Sequence, residues 1–318
     1  MHKYRHALPQ LSDTLFLTDG GLETTLLFHD GIDLPCFASF PLADEPKGRE
    51  MLRDYYTRYA RMAQQRRVGF ILETPTWRAN PDWAAKLGYD AGRLSESNRN
   101  SVTLMAEIRD TFETPTSPMV ISGAIGPRGD GYRADSRMSV DEALAYHSPQ
   151  IDTFAGTAAD MVAAFTLNYV EEAIGIVLAA QAAQIPAALS FTLETDGRLP
   201  TGQSLQEAID TVDLATGSAP AYYMINCAHP THFMAELTHG GAWTQRIRGL
   251  RANASKRSHA ELDEATDLDA GDPVELGQLY RELLGTLNRI SVIGGCCGTD
   301  HRHVEQIADH CLPARAAA

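Results

Sequence analysis

Five cysteines occur in 318 residues, and three of them close short apolar runs. Cys227 ends the run in AYYMINCAHP, and Cys296 and Cys297 end the run in ISVIGGCCGT. Thiolates are soft ligands that suit zinc better than magnesium or calcium. Three protein ligands leave the fourth tetrahedral position open, as in a catalytic zinc site. A thiol entering that position would lose its proton near neutral pH and become a sulfur nucleophile. It could then attack an electrophilic carbon such as the methyl of a sulfonium or quaternary ammonium.

Adjacent cysteines on a regular strand point to opposite faces, so Cys296 and Cys297 can share an ion only where the chain bends. Gly294, Gly295 and Gly298 flank the pair and are expected to release the steric bar to positive φ there. A packed strand end and a strained vicinal disulfide are the alternatives for this pair. Cys36 and Cys311 read as small core hydrophobes. His229 and His232 are further ligand candidates, whereas His301 and His303, two apart at a helix start, read as surface or capping residues.

Short apolar, β-branched runs alternate with longer amphipathic stretches along the chain, a pattern of parallel strands joined by helices. Candidate strands are 15–19, 69–73, 119–123, 161–165, 187–193, 222–226, 246–251 and 290–294, with helices over 48–67 and 170–183 among the connections. Eight such units predict an α/β fold, one (β/α)8 TIM barrel with long loops at the C-terminal mouth. The expected organisation is an N-terminal extension over 1–14, the barrel over 15–312 and a tail over 313–318. The acidic stretch 255–272 reads as a solvated mouth loop. No G-x-G-x-x-G follows the first strand, which argues against a dinucleotide fold. Cys227 and the Cys296-Cys297 pair both end strands that open toward the same mouth, so three sulfurs could converge.

Forty-one acidic against 27 basic residues give a formal net charge of −14, which disfavours a nucleic-acid partner. No run approaches the ~20 apolar residues of a membrane span, and no secretory h-region opens the chain. Few, scattered cysteines argue against a disulfide framework, so a cytoplasmic location is expected.

The sequence resembles the homocysteine S-methyltransferase family, the zinc-dependent barrels that include betaine–homocysteine and S-methylmethionine–homocysteine methyltransferases. The matching elements are DGGLETTL at 19–26, SGAIGPRGDGY at 122–132, INCAHP at 225–230 and GGCCGTDHRHV at 294–304. The resemblance implies Zn2+ on Cys227, Cys296 and Cys297. It implies that Asp19, on the Gly20-Gly21 turn, holds the amino-acid part of a small-molecule thiol acceptor, and that a second small molecule donates the methyl group. Thr166 and Asn226 join the expected substrate contacts, methionine biosynthesis is the implied setting, and homo-oligomerisation is left open.

One position departs from the family pattern. Its members typically end strand four with a glutamate that receives the substrate's ammonium; here Phe165 stands there, followed by Thr166. A ring face attracts a cation by only ~0.5–2 kcal/mol. Glu73, which ends strand two, and Glu194, which follows strand five, are the candidates to supply the missing charge. Trp77 and Tyr132 are candidate walls for a methylated cation. A zinc- or thiol-binding sensor, or a zinc Lewis-acid hydrolase or aldolase, are the competing readings.

Overall fold

In a parallel strand covered by helices, both faces are buried and successive side chains point to opposite sides. The segment Gly69–Glu73 shows the result: Phe70 and Leu72 join the layer between sheet and helices, while Ile71 joins the barrel interior. By the same alternation Glu73 points inward at the strand's C-terminal end. The computed structural model describes residues 1–238 and 240–316.

Eight parallel strands close into one barrel in chain order: β1 (Phe16–Leu17), β2 (Gly69–Glu73), β3 (Met119–Ile125), β4 (Met161–Leu167), β5 (Ala187–Phe191), β6 (Tyr222–Asn226), β7 (Ile247–Ala252) and β8 (Val292–Gly295). Pairing of Phe16 with Val292 completes the ring. Phe16, Ile71, Val120, Met161, Ala188, Tyr222, Met224 and Val292 fill its interior. The outer layer is larger and includes Leu17, Phe70, Ile121, Val162, Leu189, Tyr223 and Ile293. All eight expected strands are present, and the helices Pro46–Arg66 and Val170–Ala182 lie where the spacing placed them.

The differences are local. β1 is shorter than 15–19 because the chain leaves ideal geometry as it enters the mouth. Its pairing still continues as single bonds, Thr18 N–H to the Ile293 carbonyl (2.9 Å) and Gly295 N–H to the Asp19 carbonyl (3.0 Å). The mouth loop 255–272 contains a short helix, His259–Asp263, started by a reciprocal capping box between Ser258 and Glu261. Ahead of β1, Arg5 donates to the carbonyls of Ala155 (2.9 Å) and Ala159 (2.6 Å), tying the N-terminal segment to the end of the helix Val140–Ala155 and the loop after it. The last helix, His301–Ala316, runs into the segment read as a tail, and residues 317–318 of that segment lie outside the described ones. No described helix is long and apolar enough to cross a membrane.

Candidate active site

Cys227 follows β6 directly, and Cys296 and Cys297 follow β8. Their sulfurs all lie within 4.8 Å of one another, and Cys227 Sγ is 3.9 Å from Cys297 Sγ. Four sulfurs at ~2.3 Å from one ion at tetrahedral angles would be about 3.8 Å apart, so the spacing fits a shared ion. All three are free thiols, which removes the vicinal disulfide.

The backbone here is strained in two places. Cys227 has φ 53° and Thr166 has φ 60°, the left-handed region that a β-branched residue rarely enters. Both are held from outside. His259 Nε2 lies 2.7 Å from the Cys227 carbonyl, which can only accept, so Nε2 carries the proton. Thr166 N–H donates to Asn226 Oδ1 (2.9 Å), which Ser190 Oγ also reaches at 2.6 Å.

The glycines around the pair act differently from expectation. Only Gly298 has a positive φ, 78°; Gly294 and Gly295 are ordinary strand residues. A Cβ on Gly294 would lie 2.0 Å from Thr18 Oγ1, so that glycine serves close packing. Gly21 does the same from β1's side, since a Cβ there would come within 2.6 Å of the Cys296 carbonyl.

Each sulfur faces its own polar donor. Thr166 Oγ1 is 3.9 Å from Cys227 Sγ, Asn226 Nδ2 is 3.8 Å from Cys296 Sγ, and Tyr132 Oη is 3.8 Å from Cys297 Sγ. Cys296 is held well below the ordinary thiol range, chiefly by the Cys227 and Cys297 thiols, with the Arg251 charge assisting against burial. The shared hydrogen bonding pushes Cys227 and Cys297 the opposite way.

A cavity of about 520 Å³ opens over these sulfurs, lined also by Asp19, Gly20, Gly21, Glu73, Phe165, Thr166, Asn226 and Arg251. Asp19, expected at the acceptor, already has partners on both oxygens. Arg251 Nη2 donates to Oδ1 at 2.6 Å and Tyr55 Oη to Oδ2 at 3.1 Å. Arg251 also lies over the Phe165 ring, 5.2 Å from its centroid. Glu73 is buried, its Oε2 has no hydrogen-bond partner, and burial pushes its carboxyl up to about 8.

Glu194 is engaged elsewhere, 3.3 Å from His259 Nδ1, and does not line the cavity. Tyr132 does line it, stacked on His259 at 4.1 Å between centroids, and Trp77 lines it too. His303 is fully buried and is the capping residue of the two readings, not a surface one: its Nδ1 accepts from the Asp300 N–H at 3.1 Å at the start of the last helix, and its Nε2 donates to the Ala270 carbonyl at 2.7 Å. Cys36 is half-buried at φ 58° and outside the core, unlike Cys311. Arg251, Arg78, Glu23 and His259 were missed. Three arginines in the expected strand RIRGLR, where a buried strand should be apolar, were the available signal for Arg251.

The family model described as homocysteine S-methyltransferase matches residues 16–311. The homocysteine S-methyltransferase of Escherichia coli K12 is 29% identical over 300 residues, 90% of this chain and 91% of that one. Homocysteine S-methyltransferase YbgG of Bacillus subtilis 168 is 26% identical over 245 residues, 70% of this chain and 74% of that one. The crystal structure of the E. coli homocysteine methyltransferase MmuM in its metallated form superposes with TM-score 0.75 at 22% identity, over 99% of this chain and 100% of that one, a likeness of fold. The chain belongs to the homocysteine S-methyltransferase family and is a thiol S-methyltransferase built on a single (β/α)8 barrel.

Proposed function

We propose that the chain transfers a methyl group from a small-molecule onium donor to homocysteine, with Cys227, Cys296 and Cys297 holding zinc and the acceptor's sulfur taking the fourth position. One observation carries this: three free sulfurs from two distant strand ends meet within 4.8 Å on the cavity. Zinc bound there would supply the positive charge that keeps the acceptor sulfur deprotonated at neutral pH.

The chain's own groups then position the reactants. Thr166, Asn226 and Tyr132 offset part of the charge on the sulfurs, as outer hydrogen bonds do at metal sites. Glu73, with one oxygen unpartnered in the cavity and a carboxyl that burial holds at about 8 in the empty site, gives up its proton as the acceptor's ammonium arrives and receives that ammonium in place of the glutamate that Phe165 replaces. Asp19 acts as a positioning residue that fixes Arg251 on the cavity wall. Trp77, Tyr132 and Phe165 offer ring faces to the onium cation. Holding sulfur, methyl and leaving atom in line supplies much of the acceleration. A cytoplasmic, reducing setting that keeps the thiols free belongs to the same reading.

The test is Cys296→Ser, assayed for bound zinc and for methionine formed from homocysteine. Zinc and turnover should vanish together; full turnover in a metal-free protein contradicts the proposal.

A further inference from the structure

Arg78 lies just beyond β2 in the segment that forms the mouth, and it is only 8% exposed. Its guanidinium sits between two indoles, 4.2 Å from the Trp77 ring centroid and 3.9 Å from that of Trp83. Nη1 donates to the Gly129 carbonyl at 3.1 Å, while Nε has no partner. Arg109 and Arg251 are equally buried, and each holds a carboxylate, Asp160 at 2.9 Å and Asp19 at 2.6 Å. Arg78 makes no such ion pair among the described residues. Of the nearest acids, Glu23 already accepts from Ser39 at 2.7 Å, and Asp130 is exposed at the rim. Burial lowers the guanidinium's pKa, and these two acids only partly oppose it. A cation taken out of water without a counter-ion is costly, so the arrangement suits an anion that arrives from outside.

Arg78 lines the same cavity as the sulfurs. Trp77, which Arg78 covers, donates from Nε1 to the Phe165 carbonyl at 3.4 Å. A Cβ on Gly131 would touch both the Trp77 ring (3.2 Å) and Thr166 Cγ2 (2.8 Å), so Trp77 and Thr166 are neighbours, and Thr166 reaches Cys227. Trp77 and Thr166 thus link Arg78 to the sulfurs along one wall of the cavity. With Arg251 committed to Asp19 and Glu73 assigned to the acceptor's ammonium in the reading above, Arg78 is left for the other substrate.

We propose that Arg78 is the residue that sets donor specificity, by pairing its guanidinium with the carboxylate of the methyl donor. The inference rests on the methyl-transfer reading above. A planar guanidinium presents paired donors that match a carboxylate, and flanking rings hold it flat without neutralising it.

The experiment uses the zinc-loaded enzyme with homocysteine and two donor pairs: S-methylmethionine against its methyl ester, and glycine betaine against choline. The parent should favour the carboxylate member of the active pair by about tenfold or more in kcat/KM, the scale of a hydrogen bond to a charged group. Arg78→Gln should collapse that preference through the donor's KM, and Arg78→Lys should restore part of it. Zinc content and the KM for homocysteine should stay within about twofold, because the contacts of Arg78 are two indoles and the Gly129 carbonyl and not the sulfurs or Glu73; the unfolding midpoint should fall, since a buried, stacked side chain is shortened. An equal preference in parent and Arg78→Gln overturns the proposal, as does a rise confined to the homocysteine KM, which would give the anion to the acceptor. Should Arg78→Gln fail to fold, the parent's own ratio decides, and a value near one overturns it. No product from any donor in the parent overturns the methyl-transfer reading itself.

Discussion

The two halves of the barrel mouth are built on different principles. At the ends of β6 and β8, sulfurs, hydrogen-bond donors and strained backbone are matched one to one, and every sulfur has a partner at 3.8–3.9 Å. At the ends of β1, β2 and β4 the charges are unevenly paired: Asp19 is committed to Arg251, Phe165 carries no charge, and Glu73 keeps one oxygen free. The difference separates chemistry from recognition. A metal tolerates little variation in its donors, whereas an ammonium can be received by a carboxylate from any neighbouring strand.

The largest effect should come from breaking the paired side of that recognition half. Arg251→Met leaves the buried Asp19 carboxylate without its cation, and removing one partner of a buried pair costs about 3–5 kcal/mol. Urea unfolding should show that loss. A Met variant as stable as the parent would mean that the pair does not organise this wall.

Glu73→Gln tests the unpaired side. The acceptor KM should rise about tenfold or more, the scale of a hydrogen bond to a charged group, with zinc content unchanged. Glu194→Gln, which touches His259 and not the cavity, should move the acceptor KM far less. A pH signature accompanies the substitution. The Glu73 carboxyl lies at about 8 in the folded protein against an ordinary 4.5, so the native state retains a proton that the unfolded chain releases. Its contribution to stability is complete below about pH 4.5 and is lost as pH rises toward 8. Glu73→Gln should flatten that segment of the stability curve; an unchanged slope would place the proton elsewhere.

How much of this the sequence disclosed follows from what is local and what is not. The strands were readable because buried parallel strands are continuous apolar runs, and Cys227, Cys296 and Cys297 were readable because each ends one. The commitment of Asp19 was not, since its partner Arg251 lies 232 residues away and no spacing rule joins them. Nor was the role of Gly294, where a neighbour's hydroxyl, not the torsion angle, demands the missing side chain. His259 was hidden in an acidic stretch that reads as solvated loop, although the S-x-x-E box that starts its helix is in the sequence.

The smallest effect belongs to the sulfur half. Tyr132→Phe removes the hydroxyl near Cys297 and leaves the ring stacked on His259, so zinc affinity should fall by about tenfold, the lower end for an outer-sphere contact. Competition with a chromophoric chelator measures it. An unaltered affinity would mean that the hydroxyl only fills space.

The central claim is that three protein sulfurs share one zinc and leave a corner for the acceptor's sulfur. Zinc K-edge X-ray absorption on the zinc-loaded protein, with and without homocysteine, addresses it directly. The account predicts three sulfurs and one lighter atom at rest and four sulfurs with homocysteine bound; fewer than three at rest, or a count that homocysteine leaves unchanged, would contradict it.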